Sequence, residues 1–149
     1  MSSSKFTVKF HGVRGSIPSP LTYEGVEEKL MQAFQQAKSE DLADDDSIKS
    51  FVQSLPHEIR GTFGGNSSCV SMQVDDELLI FDAGSGIRML GQDLMATEFG
   101  RGQGKANLFF SHTHWDHILG IPFFVPFYIP GNQFMINSPL PDIRERLEG

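Results

Sequence analysis

Apolar and polar residues alternate near the start of the chain, with Phe6, Val8 and Phe10 set against Lys5, Thr7 and Lys9. A period of two predicts a half-buried strand. Gly15, Pro18 and Pro20 in "RGSIPSP" break it. The period then lengthens: Val26, Leu30, Ala33, Phe34 and Ala37 recur at spacings of three and four. That stripe predicts an amphipathic helix over "YEGVEEKLMQAFQQAKSE". An acidic link, "DLADDDS", follows, where Asp46 or Ser47 can cap a second helix carrying Ile48, Phe51, Val52 and Leu55. Pro56 ends it.

The second half changes texture. "FGGNSSCVSMQV" reads as a glycine turn leading into a strand, and "DDELLIFDAG" as a turn and a second strand, together a hairpin. Ile87, Leu90, Leu94 and Met95 fall at helical spacing, and "KANLFFSH" is a short buried strand. Pro122, Pro126 and Pro130 forbid a regular helix in "GIPFFVPFYIPGNQ". "FMINS" reads as one more strand, and "LPDIRERLEG" opens a helix with Pro141 near its first turn. Strand, helix and strand in succession over 68–111 predict an α/β (α+β) fold.

Composition narrows the function classes. A chain of 149 residues suits one domain with a core of its own. The formal net charge of −7 argues against non-specific nucleic-acid binding, which rests on clustered Lys and Arg. It leaves an anionic substrate open, because a bound cation can supply positive charge locally. Cys69 is the single cysteine, so no internal disulfide forms and a reducing compartment fits. "MSSSKFTVKF" has no apolar signal core, and no run is long enough to span a membrane. A cytoplasmic location with no membrane partner is the expectation.

The densest chemistry lies in "SHTHWDH": His112, His114, Asp116 and His117 form H-x-H-x-D-H directly after a buried strand. Imidazole and carboxylate are the ligand types of zinc, manganese or iron. A single His or an H-x-H pair arises readily by chance; this register after a strand does not. In an extended segment, residues two apart point the same way, so His112 and His114 can share one ion. Asp116 and His117 are adjacent and diverge, so they suit a second ion beside the first. Two divalent transition-metal ions are therefore expected, zinc first, with manganese or iron as alternatives. Trp115, Phe123, Phe124, Phe127 and Tyr128 read as packing residues.

"SHTHWDH" resembles the signature of the metallo-β-lactamase-fold hydrolases. "GVRGSIPSP", "FGGNSSCV" and "FDAGSGIRMLG" resemble segments of the branch that holds ribonuclease Z and cyclic phosphodiesterases. The likeness covers roughly 5–20 and 60–140, and leaves a helical insertion near 21–59. It implies the first half of a four-layer αββα sandwich with a mixed sheet, one partial domain over 1–149. By the same likeness His112 and His114 bind one metal, and Asp116 and His117 the other. Asp82, in "FDAG", would lie beneath the loop and brace it by hydrogen bonds, or serve only as a strand-end turn residue. The implied reaction is metal-assisted hydrolysis of a phosphodiester: a cyclic nucleotide, a cyclic phosphate or an RNA end. The ions lower the pKa of a shared water for in-line attack, and the catalytic Asp116 orients it or takes its proton.

The chain departs from that pattern after the cluster. No histidine follows His117, although the family pattern requires two more and a bridging aspartate. Asp142 lacks the strand-and-turn context of that bridge, and His11 and His57 precede the cluster. The expectation is a piece of a longer enzyme; a split enzyme completed by a second chain and a natural half-domain are the alternatives. Each predicts a poorly active chain that self-associates or pairs with a complementary half. Other readings are a thioester or lactone hydrolase of the same fold, and a non-catalytic module that binds metal or a partner chain.

Overall fold

The computed structural model describes residues 5–62 and 64–148. Two compact units divide them, Met1–Ser19 with Asn66–Gly149 and, separately, Pro20–Gly65.

The first unit is built on a five-stranded mixed sheet: β1 (Phe6–Gly12), β2 (Cys69–Val74), β3 (Glu77–Phe81), β4 (Lys105–Phe109) and β5 (Gln133–Asn137), in that spatial order. β1, β2 and β3 pair antiparallel, whereas β3, β4 and β5 pair parallel. The Asp75–Asp76 turn closes the β2–β3 hairpin, and Asp75 takes the left-handed conformation that aspartate tolerates. The crossover from β3 to β4 carries α4 (Ile87–Leu94). One sheet face is buried: Cys69, Leu78, Ile80, Ala106 and Leu108 pack with Ile87 and Leu90 of α4 and with Phe99, Phe110 and Phe124. These residues alternate along their strands, as period two requires.

The opposite face is bare. Phe6, Phe10 and Met135 stand 63%, 68% and 64% exposed, and the register aligns Phe10, Val70, Phe81 and Phe109 across four strands. Phe81 and Phe109 stack there with ring centroids 5.2 Å apart.

Between β4 and β5 the proline-rich segment forms two short 3-10 turns rather than a helix. Their aromatic rings nest edge to face: Phe127 meets Phe134 at 4.7 Å and Phe124 at 4.9 Å. Asn132 ties the segment down. Its Nδ2 donates to the Phe99 and Pro126 carbonyls at 2.9 Å, and its Oδ1 accepts from Gly104 N at 2.8 Å. The final helix, α6 (Ile143–Glu148), leans Ile143 and Leu147 on the core.

In the second unit, α1 (Tyr23–Gln36) begins at Thr22, whose hydroxyl accepts from Gly25 N, and α2 (Asp45–Ser54) begins at Asp44, which accepts from Ser47 N. The cap of α2 thus lies two residues before Asp46, the nearer of the expected pair, because the β-region backbone at Asp44 aims its carboxylate at the first turn. A one-turn helix, α3 (His57–Arg60), follows Pro56. Neither α1 nor α2 buries a residue, so the apolar stripe at Val26, Leu30 and Phe34 forms as predicted but stays largely exposed. No described helix is long and apolar enough to cross a membrane.

Candidate metal centre

β4 delivers the histidine loop. Phe110 N still donates to Asn137 O at 2.8 Å, so the strand's path runs one residue past its last ladder pair before the loop departs. His114 is extended, and α5 (Trp115–Ile118) follows as a single helical turn, closed by His117 N donating to His114 O. That turn was not predicted; at four residues it is too short for periodicity to register. Trp115 is 82% exposed, against its expected packing role, because the turn points it away from the core that holds Phe124.

Backbone hydrogen bonds zip this loop to the turn after β3. Ala83 N donates to His117 O at 2.7 Å, and Gly120 N to Ala83 O at 2.9 Å. A Cβ on Gly84 would collide with the Asp116 carbonyl and reach within 2.5 Å of Ser67 Oγ. Glycine is required by that approach. A Cβ on Gly120 would likewise strike the Gly84 carbonyl and lie 2.6 Å from Ile87 Cγ2.

Asp82 sits under the loop, nearly buried, with φ +58°, a left-handed conformation that aspartate adopts at some cost. Its Oδ1 accepts from Ser111 N at 2.9 Å, and both carboxylate oxygens lie within 3.0 Å of Ser111 Oγ. Its Oδ2 is 2.7 Å from His117 Nδ1. A carboxylate only accepts, so Nδ1 carries the hydrogen and a neutral His117 keeps its lone pair on Nε2. The same logic extends to His112. Ser111 has one proton, best placed toward the charged carboxylate, so its oxygen accepts from His112 Nδ1 at 3.0 Å. His112 too then presents Nε2.

The rings are gathered. His112 lies 4.0 Å from His117 and 4.6 Å from His114, centroid to centroid. Asp116 and His117 converge rather than diverge: Asp116 Oδ2 is 3.3 Å from His117 Nε2. The helical turn carries both side chains, Asp82 fixes one ring nitrogen, and Ser16 N donates to Asp116 Oδ2 at 2.9 Å. Ser16 is itself left-handed, with φ +64°. Burial opposes ionisation of Asp116, but the Ser16 amide and the neighbouring His117 and His112 rings outweigh it and hold the carboxyl below its usual range. No three of the described His, Cys, Asp and Glu side chains already form a set able to hold an ion. The donors are adjacent and correctly typed, and the rings pack against one another.

The remaining residues of the resembling segments, with Asp142 and His11, serve elsewhere. Asn66 Oδ1 accepts from Ser85 Oγ at 3.0 Å, and Ser67 and Ser85 exchange amide-to-hydroxyl bonds at 2.9 and 3.0 Å. They shape the two turns. Asp142 pairs with Arg146 at 2.8 Å. His11 meets Ser71 Oγ at 2.8 Å, on β1. Ser111 and Ser16 were missed by sequence reasoning. Ser111 adjoins His112 and was within reach of inspection, whereas Ser16 meets Asp116 across 100 positions with no local signal.

No protein-family model, curated protein or solved structure matches the chain. The class it defines by itself is an α/β protein with a five-stranded mixed sheet and about six helices.

Proposed function

We propose that the chain is a metal-dependent hydrolase acting on a phosphodiester, a cyclic nucleotide, a cyclic phosphate or an RNA end. One observation carries the reading: His117 Nε2 and Asp116 Oδ2 face each other at 3.3 Å while Asp82 already holds the other nitrogen of that ring. With the ring neutral, two electron donors so close repel unless a cation lies between them, and the adjoining His112 and His114 add nitrogen donors for a metal ion. His112, His114 and His117 with Asp116 suit zinc, with manganese or iron as alternatives. When bound, such ions lower the pKa of a coordinated water and neutralise phosphoryl oxygens.

The protein's own groups do the rest. Asp82 and Ser111 hold the His117 and His112 rings in the tautomer that presents Nε2. Ser16 N fixes one oxygen of Asp116, leaving the other to orient the attacking water and accept its proton. The resemblance in "SHTHWDH", "FDAG" and "GVRGSIP" supports the same reading and extends it to architecture. The sheet with its bare face is one half of a four-layer αββα sandwich, and a complementary half or a second copy covers Phe6, Phe10 and Met135 and supplies the remaining ligands. A reducing, cytoplasmic compartment suits the free, buried Cys69.

Zinc content of the purified protein, with turnover of bis-p-nitrophenyl phosphate, tests the proposal. Uptake of metal that falls on His114→Ala and His117→Ala, with turnover falling alongside, supports it. Failure of the wild type to take up zinc, manganese or iron overturns it. Metal binding with turnover of p-nitrophenyl acetate alone favours the ester-hydrolase reading.

A further inference from the structure

The sheet has two edges, β1 and β5, and only one of them is guarded. β1 follows Lys5, carries Lys9, and breaks its register between Phe10 and Gly12. Charge and a bulge are the usual means of keeping a stray strand off an edge. β5 has neither. Its register with β4 runs unbroken from Gln133 to Asn137, and no charged side chain lies between His117 and Asp142. In a protein of net charge −7, this edge therefore offers nothing to repel a like chain. Two hydrogen bonds fix where its backbone points. Gln133 N donates to Gly104 O at 2.9 Å and Phe110 N to Asn137 O at 2.8 Å, so Gln133, Met135 and Asn137 turn their amides and carbonyls toward β4. Phe134 and Ile136 turn theirs outward, where no described strand pairs with them. Their side chains share an apolar groove of about 410 Å³ with Ile143 and Leu147 of α6.

We infer that two copies of this chain join along β5, antiparallel about a two-fold axis at Met135, and fuse their five-stranded sheets into one. In that register Phe134 faces Ile136 of the other copy, and each such pair exchanges two hydrogen bonds. Every outward amide and carbonyl of Phe134 and Ile136 is then satisfied. Met135 meets its own counterpart on the open face, with Cα atoms about 4.5 Å apart. An axis at Phe134 would instead set Ile136 against Asn132, whose amide already donates to Ile129 O at 3.4 Å. The inference stands apart from the hydrolase reading. A strand pair of this length buries less than the roughly 1,600 Å² of a standard interface, so a micromolar dimer is expected.

Sedimentation velocity on the full chain across the micromolar range tests it, with the wild type expected to pass from monomer to dimer as concentration rises. Met135 is 64% exposed, so charge is tolerated there in the monomer. Met135→Lys and Met135→Glu each set like charges opposite one another and weaken the dimer about tenfold. Mixing the two variants restores it, because opposite charges then face each other. Met135→Cys gives a disulfide-linked dimer on mild oxidation, since the paired spacing lies within disulfide range and Cys69 is buried. Phe10→Lys, on the same open face but on β1, leaves the dimer unchanged, which separates edge pairing from stacking of open faces. A wild type that stays monomeric overturns the inference. So does a Phe10→Lys defect equal to that of Met135→Lys, in favour of stacked faces. Failure of the Lys and Glu variants to rescue each other, or of Met135→Cys to cross-link, overturns it as well.

Discussion

His117 meets Asp82 across 35 positions of chain, Nδ1 to Oδ2 at 2.7 Å. The contact joins the end of β3 to the loop after β4 and decides which ring nitrogen is offered outward. Asp82→Asn keeps the shape and the left-handed backbone, which asparagine tolerates. It removes the charge that orients the ring. Zinc affinity, measured by competition with a chelating dye, should fall by about 10- to 100-fold with little change in melting temperature. Asp82→Ala should also lower the melting temperature, since a left-handed alanine costs about 1–2 kcal/mol. An unaltered zinc affinity in Asp82→Asn would reduce Asp82 to a turn residue.

Gly84→Ala probes the zipper between the two turns. The new methyl meets the Asp116 carbonyl, Ser67 Oγ at 2.5 Å and Ser68 O at 2.6 Å, two of them main-chain atoms with little room to yield. A loss of about 1–3 kcal/mol in urea denaturation is expected. Stability equal to the wild type would mean the turns can part.

His11 gives the protein an acid-side sensitivity. Burial lowers its pKa below the ordinary 6.5, Lys9 adds repulsion, and Asp93, itself joined to Lys9 at 2.5 Å, opposes both. Because the unfolded chain protonates first, this contribution is intact above about pH 6.5 and fades as pH falls through the lower folded value. Wild-type denaturation midpoints should therefore drop from pH 7.5 to 5 more steeply than those of His11→Gln, which can still meet Ser71. Parallel profiles would remove His11 from the account.

Cys69 works at the other end of the scale. Burial, with the Asp82 charge second, pushes its thiol from an ordinary 9.0 up to about 12. A raised pKa stabilises the fold fully below about pH 9 and is lost as pH climbs toward 12. The native thiol should resist a disulfide reagent at pH 8 and react only as the protein unfolds. Rapid labelling of folded protein would contradict this.

The sequence carried the sheet well because β1 to β5 each alternate or form short apolar runs bounded by turn residues. The cap of α2 fell at Asp44, two residues before Asp46 and three before Ser47, since several acidic neighbours compete for one geometry. The histidine cluster was legible from its own six positions, and Asp82 from its place in "FDAG". What could not be read were contacts made by the backbone at long range: Ser16 N on Asp116, or the convergence of Asp116 with His117. Those depend on where turns land once the sheet has formed, and no periodicity encodes that. The exposed stripe of α1 shows a related limit, because periodicity reports that a face is apolar but not what covers it.

The hydrogen bonds from Ala83 to His117 and from Gly120 back to Ala83 weld two turns, separated in sequence by a helix and a strand, into one mechanical part. Under the proposed function, a cation entering there must draw in side chains carried by that one part, so its radius must suit how far the part lets them move. Preference among ions is then a property of the scaffold. Trimming fully buried Ile87, whose Cγ2 lies against Gly120, should blur that preference before it weakens the grip itself.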